Sequence, residues 1–138
     1  KQNFSKIEIG KGEQLKKGKS IAILTIGTMA DQALEAIKNT ESSDDISCYD
    51  MRFIKPLDEK LLHIIFKNHP TIITIEDGVM AGGFGSAIAE FAVTHNYHNT
   101  IEMLGIPDSF PSQGSIEELQ EIAGYSPNKI KEVIEIYI

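Results

Sequence analysis

The stretch Ile72–Ala92, IITIEDGVMAGGFGSAIAEFA, restricts this chain more than any other. It begins as an apolar run rich in β-branched residues, reaches two carboxylates, passes four glycines and ends at helical spacing. Strand, glycine loop and helix in that order form the unit from which parallel α/β sheets are made. In such sheets ligands and partners gather where strands end. Glu76 and Asp77 are therefore expected to close the strand, and its carboxyl end to be where the domain works.

The rest of the chain repeats the alternation. Ser20–Ile26 (SIAILTI) is continuous in apolar residues, as strands buried on both faces are, and Gly27 ends it. Thr28, with Asp31 three residues on, predicts a capped helix whose core face is Ala30, Ala33, Leu34 and Ile37. Glu41–Asp45 is a polar turn and Ile46–Asp50 a second inner strand. Pro56 biases Lys55 toward extended backbone. Asp58 suits the positive end of a helix whose Leu61, Leu62, Ile65 and Phe66 point inward, and Asn68-His69-Pro70 stops it. A helix from Gly85 to about Thr94 follows the glycines, and Ile101–Leu104 is a further parallel strand. Gly105–Gly114 (GIPDSFPSQG) is a loop. Ser115 and Glu118 form a full capping box, Gly124 ends that helix, and Ser126-Pro127 starts another with Ile130, Val133, Ile134, Tyr137 and Ile138 on its face. Near the start, Ile7 and Ile9 alternate before Gly10, Gly12 and Leu15, which predicts a short hairpin within Lys6–Lys17 at the sheet edge. The fold expected is α/β: a three-layer sandwich with a mostly parallel sheet of about five strands, one an antiparallel edge strand, and helices on both faces. Residues 1–19 read as a linker or edge ribbon and residues 20–138 as one domain.

Composition narrows the function classes. With 41% hydrophobic and 24% charged residues the chain is an ordinary globular domain. Its net charge of −7 comes with scattered lysines, which argues against nucleic acid and anionic membranes as partners. The one cysteine, Cys48, allows no internal disulfide and fits a reducing compartment, so the location expected is cytoplasmic. No apolar run reaches the roughly 18 to 20 residues that span a bilayer. The lysine-rich, methionine-free opening reads like a linker entering a domain of a longer protein.

The candidate chemistry is sparse. Gly82-Gly83-Phe84-Gly85-Ser86 before a helix could cradle a phosphate on backbone N–H groups. It lacks the last small residue of a dinucleotide fingerprint and the Lys-Ser/Thr of a P-loop, so a tight turn allowing close approach of a neighbouring segment or subunit is the expectation. Glu76 and Asp77 point to opposite faces, so only one serves a given site. A carboxylate bonding loop amides, or a partner's basic residue, is favoured over catalysis. His95 and His98 are one helical turn apart without a third ligand, and helix-end carbonyls are their expected partners. His63 reads as core or boundary, His69 as part of a helix stop, and Cys48 as a small buried hydrophobe. Arg52 could grip a carboxylate or phosphate in bidentate fashion; pairing with Asp50, Asp58 or a partner domain is the favoured role.

Four segments together carry a resemblance. Asp50-Met51-Arg52-Phe53-Ile54-Lys55-Pro56-Leu57-Asp58 resembles the DMRF-[VI]-KPLD signature of the 1-deoxy-D-xylulose-5-phosphate synthase family. Glu76-Asp77-x4-Gly82-Gly83-x-Gly85-Ser86 is similar to that family's EE-x4-GG-x-GS segment, with Asp77 in place of a second Glu. Gly105-Ile106-Pro107-Asp108-x-Phe110 resembles its G-[LI]-PD-x-F loop, and Ile9-Gly10-Lys11-Gly12 with Ile26-Gly27-Thr28 fits its entry to the same domain. The resemblance implies a carboxy-terminal, transketolase-like domain of a thiamine-diphosphate transferase. That enzyme joins pyruvate to glyceraldehyde 3-phosphate, releases carbon dioxide, and serves isoprenoid and thiamine biosynthesis. It further implies that thiamine diphosphate and Mg2+ are held by segments preceding these residues. No catalytic, cofactor-binding or metal-ligating residue carries over to the 138 positions. This part alone is expected to be inert, supporting a homodimer through contacts with the preceding domains and a second subunit. Arg52, Glu76, Asp77, Gly82, Gly83, Phe84, Gly85 and Ser86 are its expected interface, so a bulky residue at Gly83 should disturb assembly more than the fold. Two alternatives stand beside this reading: the equivalent domain of a 2-oxo-acid dehydrogenase β subunit or of transketolase, and an autonomous flavodoxin-like module binding phosphate at the glycine loop.

Overall fold

The computed structural model describes residues 6–138. The first five positions of the expected linker lie outside the described residues. Five strands, β1 (Glu13–Lys16), β2 (Ile21–Thr25), β3 (Ile46–Asp50), β4 (Thr71–Val79) and β5 (Thr100–Ile106), make one sheet in the order β1-β3-β2-β4-β5. β2, β3, β4 and β5 run parallel, and β1 pairs antiparallel with β3 at one edge. This is the α/β sandwich with one antiparallel edge strand. The ribbon predicted within Lys6–Lys17 is a single strand, however: Ile7 and Ile9 lie outside any strand and are exposed. β1 pairs with β3 along one side, and residues 6–12 add no strand to its free side.

Helices α1 (Met29–Lys38), α2 (Glu59–Asn68), α3 (Phe84–Thr94), α4 (Ile116–Ala123) and α5 (Pro127–Ile136) surround the sheet. None is long and apolar enough to cross a membrane. Side chains alternate along a strand, so β2 feeds two cores. Ile21 and Ile23 pack with Ala33 and Ile37 of α1 and with Ile130 and Ile134 of α5. Ala22 and Leu24 pack with Leu62 and Phe66 of α2 and with Phe84 and Ile88 of α3. A strand buried on both sides has no polar face, which is why SIAILTI reads as an unbroken apolar run.

The helix starts separate into two kinds. Ser115 and Ser126 have extended backbone (ψ 162° in each), and their hydroxyls accept the N–H of Glu118 and Lys129. Glu118 completes the capping box on α4. Thr28 occupies the equivalent position of α1 but at ψ 3°, and its side chain makes no cap bond. An N-cap side chain reaches the third amide only from extended backbone, so the cap predicted from Thr28 and Asp31 does not form. The α1 core face is Met29, Ala33, Ala36 and Ile37; Ala30 and Leu34 are half-buried. Asp58 caps α2 on the N–H of Leu61 (3.1 Å) and also accepts the N–H of Gly12 (3.2 Å), tying the entering segment to that helix. The Lys55–Pro56 peptide is cis.

Candidate functional site

β2 leads to β3 on one side and β3 returns to β4 on the other, so the order of the sheet reverses between β2 and β4. Carboxyl ends at such a reversal are where open α/β sheets place their sites. The residue standing there is Glu76. β4 does not stop at the two carboxylates as predicted. It continues to Val79: Ile75 pairs with Leu104 and Val79 with Ile106, four residues of advance against two. Glu76, Asp77 and Gly78 therefore lie in a bulge, which turns the Glu76 side chain back into the protein.

There the Glu76 carboxylate accepts the N–H of Phe84 through Oε2 and the N–H of Gly85 through Oε1, both at 2.9 Å. These are the first amides of α3, whose cap residue Gly83 has no side chain to offer. A buried negative charge on the positive end of a helix, with both oxygens bonded, is well placed electrostatically. The rest of the loop closes on itself. Ser86 donates its hydroxyl to the Met80 carbonyl (2.7 Å) and accepts the Gly82 N–H (3.0 Å), and the Met80 N–H reaches the Ile106 carbonyl (2.9 Å).

This geometry corrects the phosphate-cradle alternative: the amides that would hold an anion already hold Glu76. The same occupancy means that these residues do not fit a thiamine diphosphate group. The glycines serve close approach instead. A Cβ on Gly83 would overlap the Glu76 carboxylate and the Val79 carbonyl, and one on Gly85 would lie 2.8 Å from Thr74 Oγ1. The first penalty of a bulky residue at Gly83 thus falls on the fold, contrary to the expectation from sequence.

Of the eight residues expected to form an interface, Glu76, Phe84 and Gly85 face inward, and Phe84 is fully buried. Asp77 and Gly82 are exposed, and Gly83 and Ser86 half-exposed. Asp77 points to the face opposite Glu76 and accepts the Tyr125 hydroxyl at 2.7 Å. Burial first, and this carboxylate second, push the Tyr125 hydroxyl well above the ordinary tyrosine range. Arg52 is not brought to this group, since β2 separates its strand from β4. It adopts positive φ (61°), donates its backbone N–H to Asp50 (3.0 Å) and pairs its guanidinium with Glu13 of β1. Asp50 was foreseeable as a partner. Glu13 was not, because only the antiparallel pairing of β1 brings it near.

Three of the four histidines have structural partners, and His98 lies exposed beyond the end of α3. His95 Nδ1 bonds the Phe91 carbonyl at 2.9 Å, the helix-end role expected of it. His63 sits among Phe91, His95 and Tyr97, with its Nδ1 2.7 Å from the Tyr97 hydroxyl. Sequence reasoning missed a serine–histidine contact: Ser47 Oγ lies 2.9 Å from His69 Nε2, both buried. His69 Nδ1 faces the Ile65 carbonyl (3.0 Å), so Nδ1 carries the proton and Nε2 accepts from Ser47; Ser47 in turn accepts the Gly18 N–H (2.8 Å). With both side chains hydrogen-bonded and buried, this pair joins β3 to the end of α2. No sequence spacing signals it. Burial pushes the Cys48 thiol up to about 12, which keeps it unreactive. Among the described residues no three His, Cys, Asp or Glu side chains gather as metal ligands would.

Comparison with known proteins places this geometry in context. The family model described as "Transketolase, C-terminal domain" matches residues 10–130. A 1-deoxy-D-xylulose-5-phosphate synthase of Phocaeicola vulgatus is 46% identical over 133 residues, covering 95% of this chain and 21% of its own length. One from a Geobacillus species is 46% identical over 120 residues, 86% of this chain and 19% of that protein. The chain thus spans about a fifth of the length of these relatives. Among solved structures, a chain described as "Split gene transketolase, inactive beta4 tetramer" superposes at a TM-score of 0.86 with 29% identity, over 99% of this chain and 46% of its own. Transketolase of Pichia stipitis superposes at 0.66 with 15% identity over 93% of this chain and 18% of that one, a likeness of fold alone.

Proposed function

The chain belongs to the transketolase C-terminal domain family, and from that membership we propose that it is the carboxy-terminal domain of a 1-deoxy-D-xylulose-5-phosphate synthase. The observation that carries this reading is the 46% identity to the Phocaeicola vulgatus synthase over 133 residues. The split-gene transketolase chain follows at 29%. In the whole enzyme the reaction is the condensation of pyruvate with glyceraldehyde 3-phosphate, with loss of carbon dioxide. Thiamine diphosphate and Mg2+ supply the chemistry from the preceding segments. This domain supplies none of the reacting groups and acts as a rigid support in a cytoplasmic homodimer. Residues 20–138 form that support, entered through residues 1–19. Asp77, Gly82, Gly83, Ser86 and Arg52 are the members of the expected interface that remain open to a neighbouring domain or subunit; Glu76, Phe84 and Gly85 hold its shape from within.

Two features support an inert role for the isolated domain. Its one glycine-rich helix start is filled by Glu76. The Ser47–His69 contact is buried in the core. Calorimetric titration of residues 1–138 with thiamine diphosphate and Mg2+ is expected to give no binding heat. The full polypeptide is expected to convert pyruvate and glyceraldehyde 3-phosphate to carbon dioxide and 1-deoxyxylulose 5-phosphate only when thiamine diphosphate is present. Stoichiometric cofactor binding by the isolated domain would overturn the inert role, and a full polypeptide without that activity would overturn the synthase reading.

A further inference from the structure

The loop after β5 and helix α4 enclose a groove of about 390 Å3 for which nothing above provides a use. Ile106, Phe110, Ile116, Leu119 and Ile122 line it. Phe110 is fully exposed (104%), Ile116 67% and Ile122 74%. Large apolar side chains scattered singly over a surface are ordinary; three lining one groove form a contiguous patch of the kind that marks an interaction site. The patch is also preorganised. The capping box at Ser115 and the left-handed Gly124 fix both ends of α4, and Gln120, buried beneath the helix, is held by the Gln32 amide at 2.9 Å. Presenting apolar side chains from a fixed helix lowers the ordering cost of docking.

Charge selects the occupant. Asp77 lines the groove and Asp108 sits between two of its lining residues, while Glu117, Glu118 and Glu121 line the hollow on the other side of α4. Among the described residues no lysine or arginine lines either hollow, although Lys129 of α5 reaches Glu121 at 3.9 Å. A second copy of this chain would bring the same acidic rim and its own net charge of −7. Like charges set against each other oppose that pairing. The relatives, meanwhile, continue for about four-fifths of their length outside the region matched here. We infer that the groove seats the amino-terminal part of the same enzyme through an apolar segment flanked by lysine or arginine. This rests on the synthase reading above and adds to it the face, the apolar anchors and the sign of the charge on the partner segment.

Hydrogen exchange of residues 106–123, followed in the full polypeptide and in the 138-residue chain, tests the inference. The amides of α4 should exchange at least about tenfold more slowly in the full polypeptide. Phe110→Asp and, independently, Ile122→Glu should abolish that difference; both side chains are exposed, so exchange in β2 and the circular dichroism should not change. Raising the salt concentration should speed exchange at α4 in the full polypeptide, as a basic partner rim requires. Equal rates in the two forms, or protection that survives both substitutions, would overturn the inference. Protection in the short chain that grows with its concentration would overturn it in favour of a second copy. Carbon dioxide release by the unmodified full polypeptide is read separately, so loss of the synthase reading is distinguishable from loss of the groove's role.

Discussion

Glu76 and Tyr125 show how much of this domain depends on single polar contacts at the end of β4. The Glu76 carboxylate holds the first two amides of α3, and no other side chain in the loop can take over. Glu76→Ala is expected to cost about 2–4 kcal/mol, from two charge-assisted hydrogen bonds and the helix-end field together. Glu76→Gln keeps the volume and one acceptor and should cost about half as much; urea unfolding of the two variants measures the difference. Tyr125 titrates later in the folded state than in the unfolded chain, because burial and the Asp77 carboxylate both disfavour its anion. Its contribution is therefore complete below about pH 10, the unfolded value. Above that the unfolded chain releases the proton while the folded one keeps it, so stability falls as pH rises, by up to about 1.4 kcal/mol per pH unit. Tyr125→Phe should remove that part of the alkaline slope in unfolding curves taken from pH 9 to pH 11. Neither contact was readable beforehand. Glu76 was recognised as a carboxylate able to bond loop amides, but which amides depended on a bulge. Tyr125 is 48 residues from Asp77 and nothing local links them.

At the level of elements, the legible features were those whose cause is local. Ser115 with Glu118 caps as its spacing predicts, and Asp58 and Ser126-Pro127 start helices where expected, their side chains serving as caps as well, since cap chemistry is complete within four residues. Thr28 fails because its backbone conformation is imposed by the exit from β2, which composition does not encode. The run past Ile75 was misread for a related reason: alternation ends at the bulge, so the resumed pairing of Val79 with Ile106 leaves no periodic trace. Ser115→Ala is expected to cost about 1 kcal/mol and to fray α4 selectively. Because α4 contributes little to either core, proteolysis should then cleave around residues 112–118 before the strands are touched.

Over the whole molecule, strand–helix alternation was enough to give the class of fold, whereas the order β1-β3-β2-β4-β5 depends on where each crossover lands and left no mark in the sequence. The two cores lie on opposite faces of one sheet, with Ile134 in one and Ile88 in the other. Each cut to Ala should cost about 2–5 kcal/mol. Having no shared partners, the two losses should add within about 0.5 kcal/mol while unfolding stays a single transition. The carboxylate on the glycine loop has a last consequence, for the thermodynamics of the domain. An anion site filled from solution makes a protein's stability a function of ligand concentration. A site filled by the chain's own side chain has no such dependence. The loop's order is then a constant of the covalent sequence, and the melting temperature should be the same with inorganic phosphate as with an equal ionic strength of chloride.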